Sequence, residues 1–302
     1  MKTVKWQRKP ITEPGIYSGV PMNVYHGADL CDGPSVSSSG LRKISSQSPA
    51  HYFCESPYNP NRIEQKETDS LTLGRAAHHL LLGEDDFNTH YVVRPDKWDS
   101  WRTDASKIWR IDQESAGKTV LLTAQLETIR GMARSLASHP LIDAGILNGA
   151  IEQTIVWKCK DNGVWLKARP DAIPNDAGDF ADLKTTTSVQ SADLARTIAE
   201  YGYHQQAALI AAGWHALTGK DVASFSFVFV ESKPPFCTRI VTLRDDDLAR
   251  GERQNFVAIK TFAHCMETGE WPGPGGADAE YLALPSWAQA RIDHQLEIAE
   301  AS

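Results

Sequence analysis

Apolar and polar residues follow two periods along this chain, and the switches between them predict its elements. From Phe180 to Thr186 the positions alternate as on a half-buried strand. Ala168 to Ile173 makes a second short strand. Pro174-Asn175-Asp176-Ala177-Gly178 between them is a cluster of turn residues, so a hairpin is expected. Upstream, Ile151 to Lys158 and Val164 to Lys167 are strands joined through Asn162-Gly163, a strong hairpin signal. These segments together predict a meander. Val222 to Val230 is nearly continuously apolar, as in a strand covered on both faces. With Cys237 to Leu243 it forms a late hairpin across Ser232-Lys233-Pro234-Pro235.

Helical spacing governs most of the remainder. Ser37 caps a helix that reaches Tyr52, with Pro49 opening a further turn. Ser70 to Leu82 carries a strong apolar stripe and stops at Gly83. Helices are expected at about 104–116, at 123–138 with Thr123 as cap, and over a short stretch at 140–147. Ser191 to Gly202, Tyr203 to Leu217, Asp245 to Thr268 and Ser286 to Glu300 complete the set. Residues 1–36, rich in Gly, Pro and polar side chains, read as an irregular N-terminal arm. Residues 37–285 then form one domain, and 286–302 a C-terminal helix suited to subunit contacts.

Composition narrows the class. The chain has 302 residues, 41% of them hydrophobic, enough for a substantial core. It has no apolar run long enough for a membrane helix and no apolar segment after its basic start, so a cytoplasmic protein is expected. The five cysteines are scattered without a C-x-x-C pair, which argues against a cysteine-based zinc or iron–sulfur site. A net charge of −7 is awkward for binding DNA, because affinity comes largely from neutralising phosphates. Positive charge gathered in one groove, and carboxylates neutralised by a metal ion, would ease the conflict.

The hairpin carries the candidate chemistry. It sets Asp171 beside Asp182, and Lys184 shares a strand face with Asp182. Two close carboxylates repel, and a divalent cation between them removes the repulsion. Oxygen ligands with one or two carboxylates suit Mg²⁺. A lysine beside the metal can hold or deprotonate an attacking water. Asp-x-Lys is common, however, and a surface hairpin with scattered charges explains the same letters. Lys97-Trp98-Asp99-Ser100-Trp101-Arg102 is similarly two-sided: it fits a nucleic-acid grip by stacking and charge, or buried tryptophans with snorkelling neighbours.

Four stretches in one order decide between these readings. They are Ser37-Ser38-Ser39-Gly40-Leu41-Arg42 with Ser48-Pro49-Ala50-His51-Tyr52; Leu73-Gly74-Arg75-Ala76-Ala77-His78; Arg169-Pro170-Asp171 with Asp182-Leu183-Lys184-Thr185-Thr186; and Tyr203-His204-Gln205-Gln206-Ala207-Ala208. Together they resemble the PD-(D/E)XK nuclease superfamily. More narrowly they resemble its RecB-like branch and the exonuclease VIII (RecE) type of phage recombination nuclease. The resemblance implies an α/β (α+β) fold with a restriction-endonuclease-like core, a central mixed sheet flanked by helices, and an N-terminal helical region. It implies Mg²⁺-dependent exonucleolytic digestion, with Mn²⁺ able to substitute. Linear double-stranded DNA ends would be cut 5′-to-3′, leaving 3′ overhangs for annealing-type recombination.

By the same resemblance His78, Asp171, Asp182 and the Leu183 carbonyl hold the metal, and Lys184 positions or deprotonates the water. Gln206 positions Lys184 or the scissile phosphate, with Gln205 the alternative register. The family's tyrosine four residues later is Ile210 here. Glu152 assists the site or its surroundings. Arg42, Arg75, Arg102 and Arg169 are the candidate DNA contacts, although an ordinary solvated helix charge explains Arg42 better. A closed homo-oligomeric ring is implied, four subunits rather than three, along with a single-strand annealing protein as partner. Other nucleases of the superfamily and a non-catalytic DNA-binding scaffold are the alternatives. The presence of Asp171, Asp182 and Lys184 together argues against the scaffold.

Overall fold

The first thirty-seven residues build part of a sheet rather than an irregular arm. They supply β1 (Val4–Lys5), β2 (Gly15–Ser18), the single-turn α1 (Met22–Tyr25) and β3 (Ser35–Ser37). The structure, a computed structural model, describes residues 2–63, 68–82, 87–174, 178–276 and 278–300. After β3 come α2 (Ser38–Ser46) and α3 (Pro49–Glu55). Ser48 separates these two helices because its hydroxyl caps the second, accepting the His51 N–H at 3.3 Å. Next are α4 (Asp69–Leu81), α5 (Phe87–His90), β4 (Tyr91–Val93), α6 (Asp104–Ser115), β5 (Thr119–Leu121) and α7 (Thr123–Ala137). The expected helix at 140–147 is only one turn, α8 (Pro140–Asp143). The proposed stop at Gly83 lies outside the described residues.

Strands dominate the middle of the chain: β6 (Ala150–Ile151), β7 (Thr154–Lys158), β8 (Trp165–Ala168), β9 (Ala172–Ile173) and β10 (Asp179–Thr186). Then follow α9 (Ser191–Glu200), α10 (Tyr203–Thr218), β11 (Ser224–Glu231), β12 (Thr238–Thr242), α11 (Asp245–Thr268) and α12 (Ser286–Glu300). One sheet has the order β1-β2-β7-β8-β3, and a second has the order β10-β11-β12. In the second, β10 pairs parallel with β11 and β11 antiparallel with β12.

The meander therefore needs correction. β7 and β8 form the expected hairpin, but the Asp171 and Asp182 segments do not pair with each other. β9 pairs with β6, while β10 takes β11 through the crossover of α9 and α10. Pro170 explains the break, since it lacks the N–H that a continuing ladder needs. Residue Glu152, at φ 53°, likewise splits the expected 151–158 strand into β6 and β7. Residues 175–177 of the proposed turn lie outside the described residues.

β11 shows why this sheet is central. Phe225, Phe227 and Phe229 face a core shared with Ala207, Leu209 and Ile210 of α10 and Phe262 of α11. Val228 and Val230 face the opposite core, with Ala76 and Ala77 of α4 and Ile129 and Met132 of α7. A mixed sheet covered by helices on both faces is the result, as the continuous apolar run requires. No helix among the described residues is long and apolar enough to cross a membrane.

Two glycines seat α10, the helix that later supplies Gln206. A Cβ on Gly213 would lie 2.5 Å from the Trp157 ring on β7, and one on Gly251 of α11 would strike the His204 carbonyl. Gly213→Val is expected to lower stability by about 1–3 kcal/mol through overpacking, read as a fall in the thermal midpoint.

Lys167 on β8 is 3% exposed, and its ammonium donates to the Gly27 carbonyl at 3.1 Å. Burial lowers its pKa from 10.5 to about 8. Between those values the unfolded chain binds more protons, so this group makes stability rise with pH from about 8 to 10.5. Below that window its cost is constant, on the order of 3 kcal/mol. Any advantage of Lys167→Met over the parent at pH 7 should therefore shrink as urea unfolding is repeated toward pH 10.

Candidate active site

The break at Pro170 frees the Asp171 side chain for another task. Its Oδ2 accepts the Leu183 N–H at 2.6 Å, so a carboxylate stands where a paired strand's carbonyl would be. The N–H and C=O of one strand residue project to the same side. The Leu183 carbonyl therefore also faces this edge of β10. On the far side of Asp171, His78 of α4 places Nδ1 3.5 Å from Oδ1.

Asp182 and Lys184 point to the α10 face of the sheet. Gln206 Nε2 donates to Asp182 Oδ1 at 2.8 Å. The Lys184 ammonium makes an ion pair with Asp182 Oδ2. That oxygen is buried, and the ammonium is its charge-assisted hydrogen-bond partner. Beneath the ammonium lie the rings of Tyr203, 5.0 Å to its centroid, and Phe227, 5.9 Å.

Charge in this cluster is strongly uneven. Burial and the neighbouring Asp171 charge raise the pKa of Asp182, against the pull of Lys184. Burial also acts to raise Asp171, but His78, Lys184 and the Leu183 N–H outweigh it and hold that carboxyl below its usual range. Two carboxylates sharing one dry site are pushed apart in this way. His78 and Lys184 are both raised, because the carboxylates overcome the burial that disfavours their charged forms. Lys184 is thus a fixed cation at neutral pH.

A divalent cation suits this donor set. Asp182 is 1% exposed and Asp171 7%, so both carboxylates are held largely out of water. Among the described residues no three His, Cys, Asp or Glu side chains are gathered into a closed metal cage. His78 instead leans on Asp171 and Lys184 on Asp182. His78 of α4, Asp171 in the bend after β8, and Asp182 with the Leu183 carbonyl on β10 are the groups that could hold an ion.

Other expected residues fall into different places. Glu152 pairs through its Oε2 with Arg169 Nε at 2.5 Å, and its N–H donates to the Asp171 carbonyl at 3.1 Å. Arg169 also donates to the Val20 carbonyl, so both residues brace the bend that carries Asp171. Arg42 is half-buried near the site; desolvation lowers its pKa, against the pull of Tyr203 and then Asp182. Its Nη1 donates to the Tyr201 carbonyl at 2.5 Å. Arg75 lies one turn before His78 on α4, exposed. Arg102 is exposed and follows Trp101, which stacks on Trp109 beside Trp98.

The glutamine register is resolved. Gln206 reaches Asp182, whereas Gln205 is 3% exposed and bonds Ser45 and Asn255. Ile210 is a core residue. Tyr203 has a more definite place than its sequence suggested, since its ring supports Lys184. The aromatic residue two positions ahead of Gln205 was the only signal.

A carboxylate held over a strand edge, a second carboxylate and a lysine two residues on, in a mixed sheet between helices, define the PD-(D/E)XK class. Within it the chain belongs to the PDDEXK-like domain family of unknown function (DUF3799), whose model matches residues 37–284. Among solved structures, a candidate exonuclease from Eubacterium rectale has a TM-score of 0.58 at 14% identity, covering 82% of this chain and 89% of its own. A phage-related exonuclease from Haemophilus somnus 129PT covers 82% of this chain and 99% of its own at 12% identity, with a TM-score of 0.32. A comparison with curated protein sequences gives no match.

Proposed function

We propose that the protein is a metal-dependent exodeoxyribonuclease of the exonuclease VIII (RecE) type. It digests linear double-stranded DNA from 5′ ends and leaves 3′ overhangs for annealing-type recombination. The observation that carries this is the buried Asp171–Asp182 pair with Lys184 alongside. His78, Asp171, Asp182 and the Leu183 carbonyl would hold Mg²⁺, or Mn²⁺ in its place. Such an ion polarises a phosphodiester and lowers the pKa of a bound water.

The chain's own groups supply the rest. Lys184, kept charged by the carboxylates, orients water and offsets the charge that develops on phosphate. Tyr203 and Phe227 keep the lysine from swinging away. Gln206 fixes the plane of the Asp182 carboxylate. Arg42 and Arg75 are the DNA contacts nearest the site, and the assembly is a ring, four subunits rather than three. An annealing protein receives the overhang.

The test is a time course on linear duplex labelled at either end, with and without Mg²⁺, beside closed circular DNA. Loss of 5′ label first, only with Mg²⁺ and only on the linear form, is expected. Cutting of the circle would move the protein to the endonucleases.

A further inference from the structure

The chain ends in an arm that buries almost nothing of itself. Within α12 only Ala288 is buried. Tyr281 is 106% exposed, Leu282 89% and Trp287 67%. Ala288, Ile292 and Leu296 recur every fourth residue and share one face of the helix. A lone helix of this length is marginal in water unless a neighbour covers its apolar side. The arm is also acidic: between 278 and 300 it has five carboxylates, Asp278, Glu280, Asp293, Glu297 and Glu300, against the single Arg291.

A groove of matching character lies on the body of the molecule. It has a volume of about 490 Å³ and opens between α9, β12 and the start of α11. Leu194, Ile198, Val241 and Leu243 form an apolar floor. Arg239, Arg244 and Arg250 line its rim. Arg250 has one partner in Asp247, and Arg239 donates to the Val189 carbonyl. Among the described residues none beyond Arg250 lines the groove, so the described part of the chain's own arm leaves it open.

We propose that the arm of one copy, residues 278–300, seats in the groove of a second copy. Its apolar side chains lie on the floor and its carboxylates meet the arginine rim. An apolar floor suits leucine, isoleucine and tryptophan side chains better than a phosphate backbone. A single chain leaves both surfaces uncovered, and exchange between copies covers both at once. The contact would supply a subunit interface for the assembly proposed above, but it does not depend on catalysis.

The experiment is light scattering on the full chain at micromolar concentration, with thermal unfolding as a check on folding. Two exposed variants are compared: Trp287→Ala with Leu296→Asp on the arm, and Arg244→Glu with Arg250→Glu on the rim. The parent is expected to associate, and each variant to weaken association at least tenfold without losing its fold. An equimolar mixture should regain part of the association, because one subunit keeps an intact groove and the other an intact arm. A monomeric parent overturns the proposal, as does an oligomer that neither variant disturbs, or a mixture that stays monomeric. So does a cross-link from arm to groove found within one chain. Rim variants that lose retention of an oligonucleotide while assembly persists would give the groove to nucleic acid and also overturn it. Digestion of linear duplex is scored separately, so a failed nuclease reading would leave the assembly result standing.

Discussion

Asp182→Asn is expected to lose divalent-dependent digestion of linear duplex about a thousandfold, near 4 kcal/mol of transition-state stabilisation. Asparagine keeps the shape of the side chain and an oxygen to accept the Gln206 hydrogen bond. Only the charge is removed. That charge is held at a cost, since burial and Asp171 both raise the Asp182 pKa. A carboxylate retained against such a penalty needs a counter-charge, and Lys184 is its partner in the absence of an ion. The fold should survive, because replacing Asp182 also relieves its repulsion with Asp171. The measurement is an initial rate on end-labelled duplex, with circular dichroism to confirm folding. A variant with a tenth or more of the parent rate would place the chemistry elsewhere. Gln206→Ala should cost less, about tenfold, because Lys184 still restrains the carboxylate.

The elements legible in the sequence were those with local causes. α10 and α11 end at Gly219 and Gly269, both in the left-handed conformation that a helix stop favours. β11 announced its double burial through a continuous apolar run. Long-range pairing was less visible. β10 and β11 are parallel neighbours separated by two helices, and nothing in the alternation of residues 180–186 names that partner. The turn residues after Ile173 suggested a hairpin instead. β1, β2 and β3 are two to four residues long, too short to show a period, so their contribution to the sheet was hidden.

The site divides along the same line. Asp171, Asp182 and Lys184 were legible because a strand places alternate residues on one face and the motif is local. His78 and Gln206 came from the order of motifs, and the structure sets each against a different carboxylate. Glu152 stands in the surroundings of the site, where its N–H donates to the Asp171 carbonyl and its carboxylate pairs with Arg169; the positive φ at this residue had no signal in the strand pattern.

Lys184→Met is expected to slow turnover about 100- to 1,000-fold and to make folding more dependent on a divalent ion. Without the ammonium, Asp182 keeps a buried oxygen that has neither a hydrogen bond nor a counter-charge. Breaking a buried pair on one side costs about 3–5 kcal/mol, less whatever Asp182 recovers by taking a proton. A bound cation returns the missing charge, and stabilises by an amount that grows with its concentration over its dissociation constant. Lys184 also repels any ion near Asp182, so its removal tightens ion binding. The thermal midpoint should therefore rise more on adding Mg²⁺ in Lys184→Met than in the parent, and hardly at all in Asp182→Asn. These three melting curves separate two roles that activity alone confuses. Lost turnover with an enlarged Mg²⁺ shift assigns the lysine to the phosphate and the carboxylates to the ion. Equal shifts in all three proteins would mean that the ion binds somewhere else, and that the lysine and the carboxylates neutralise only each other.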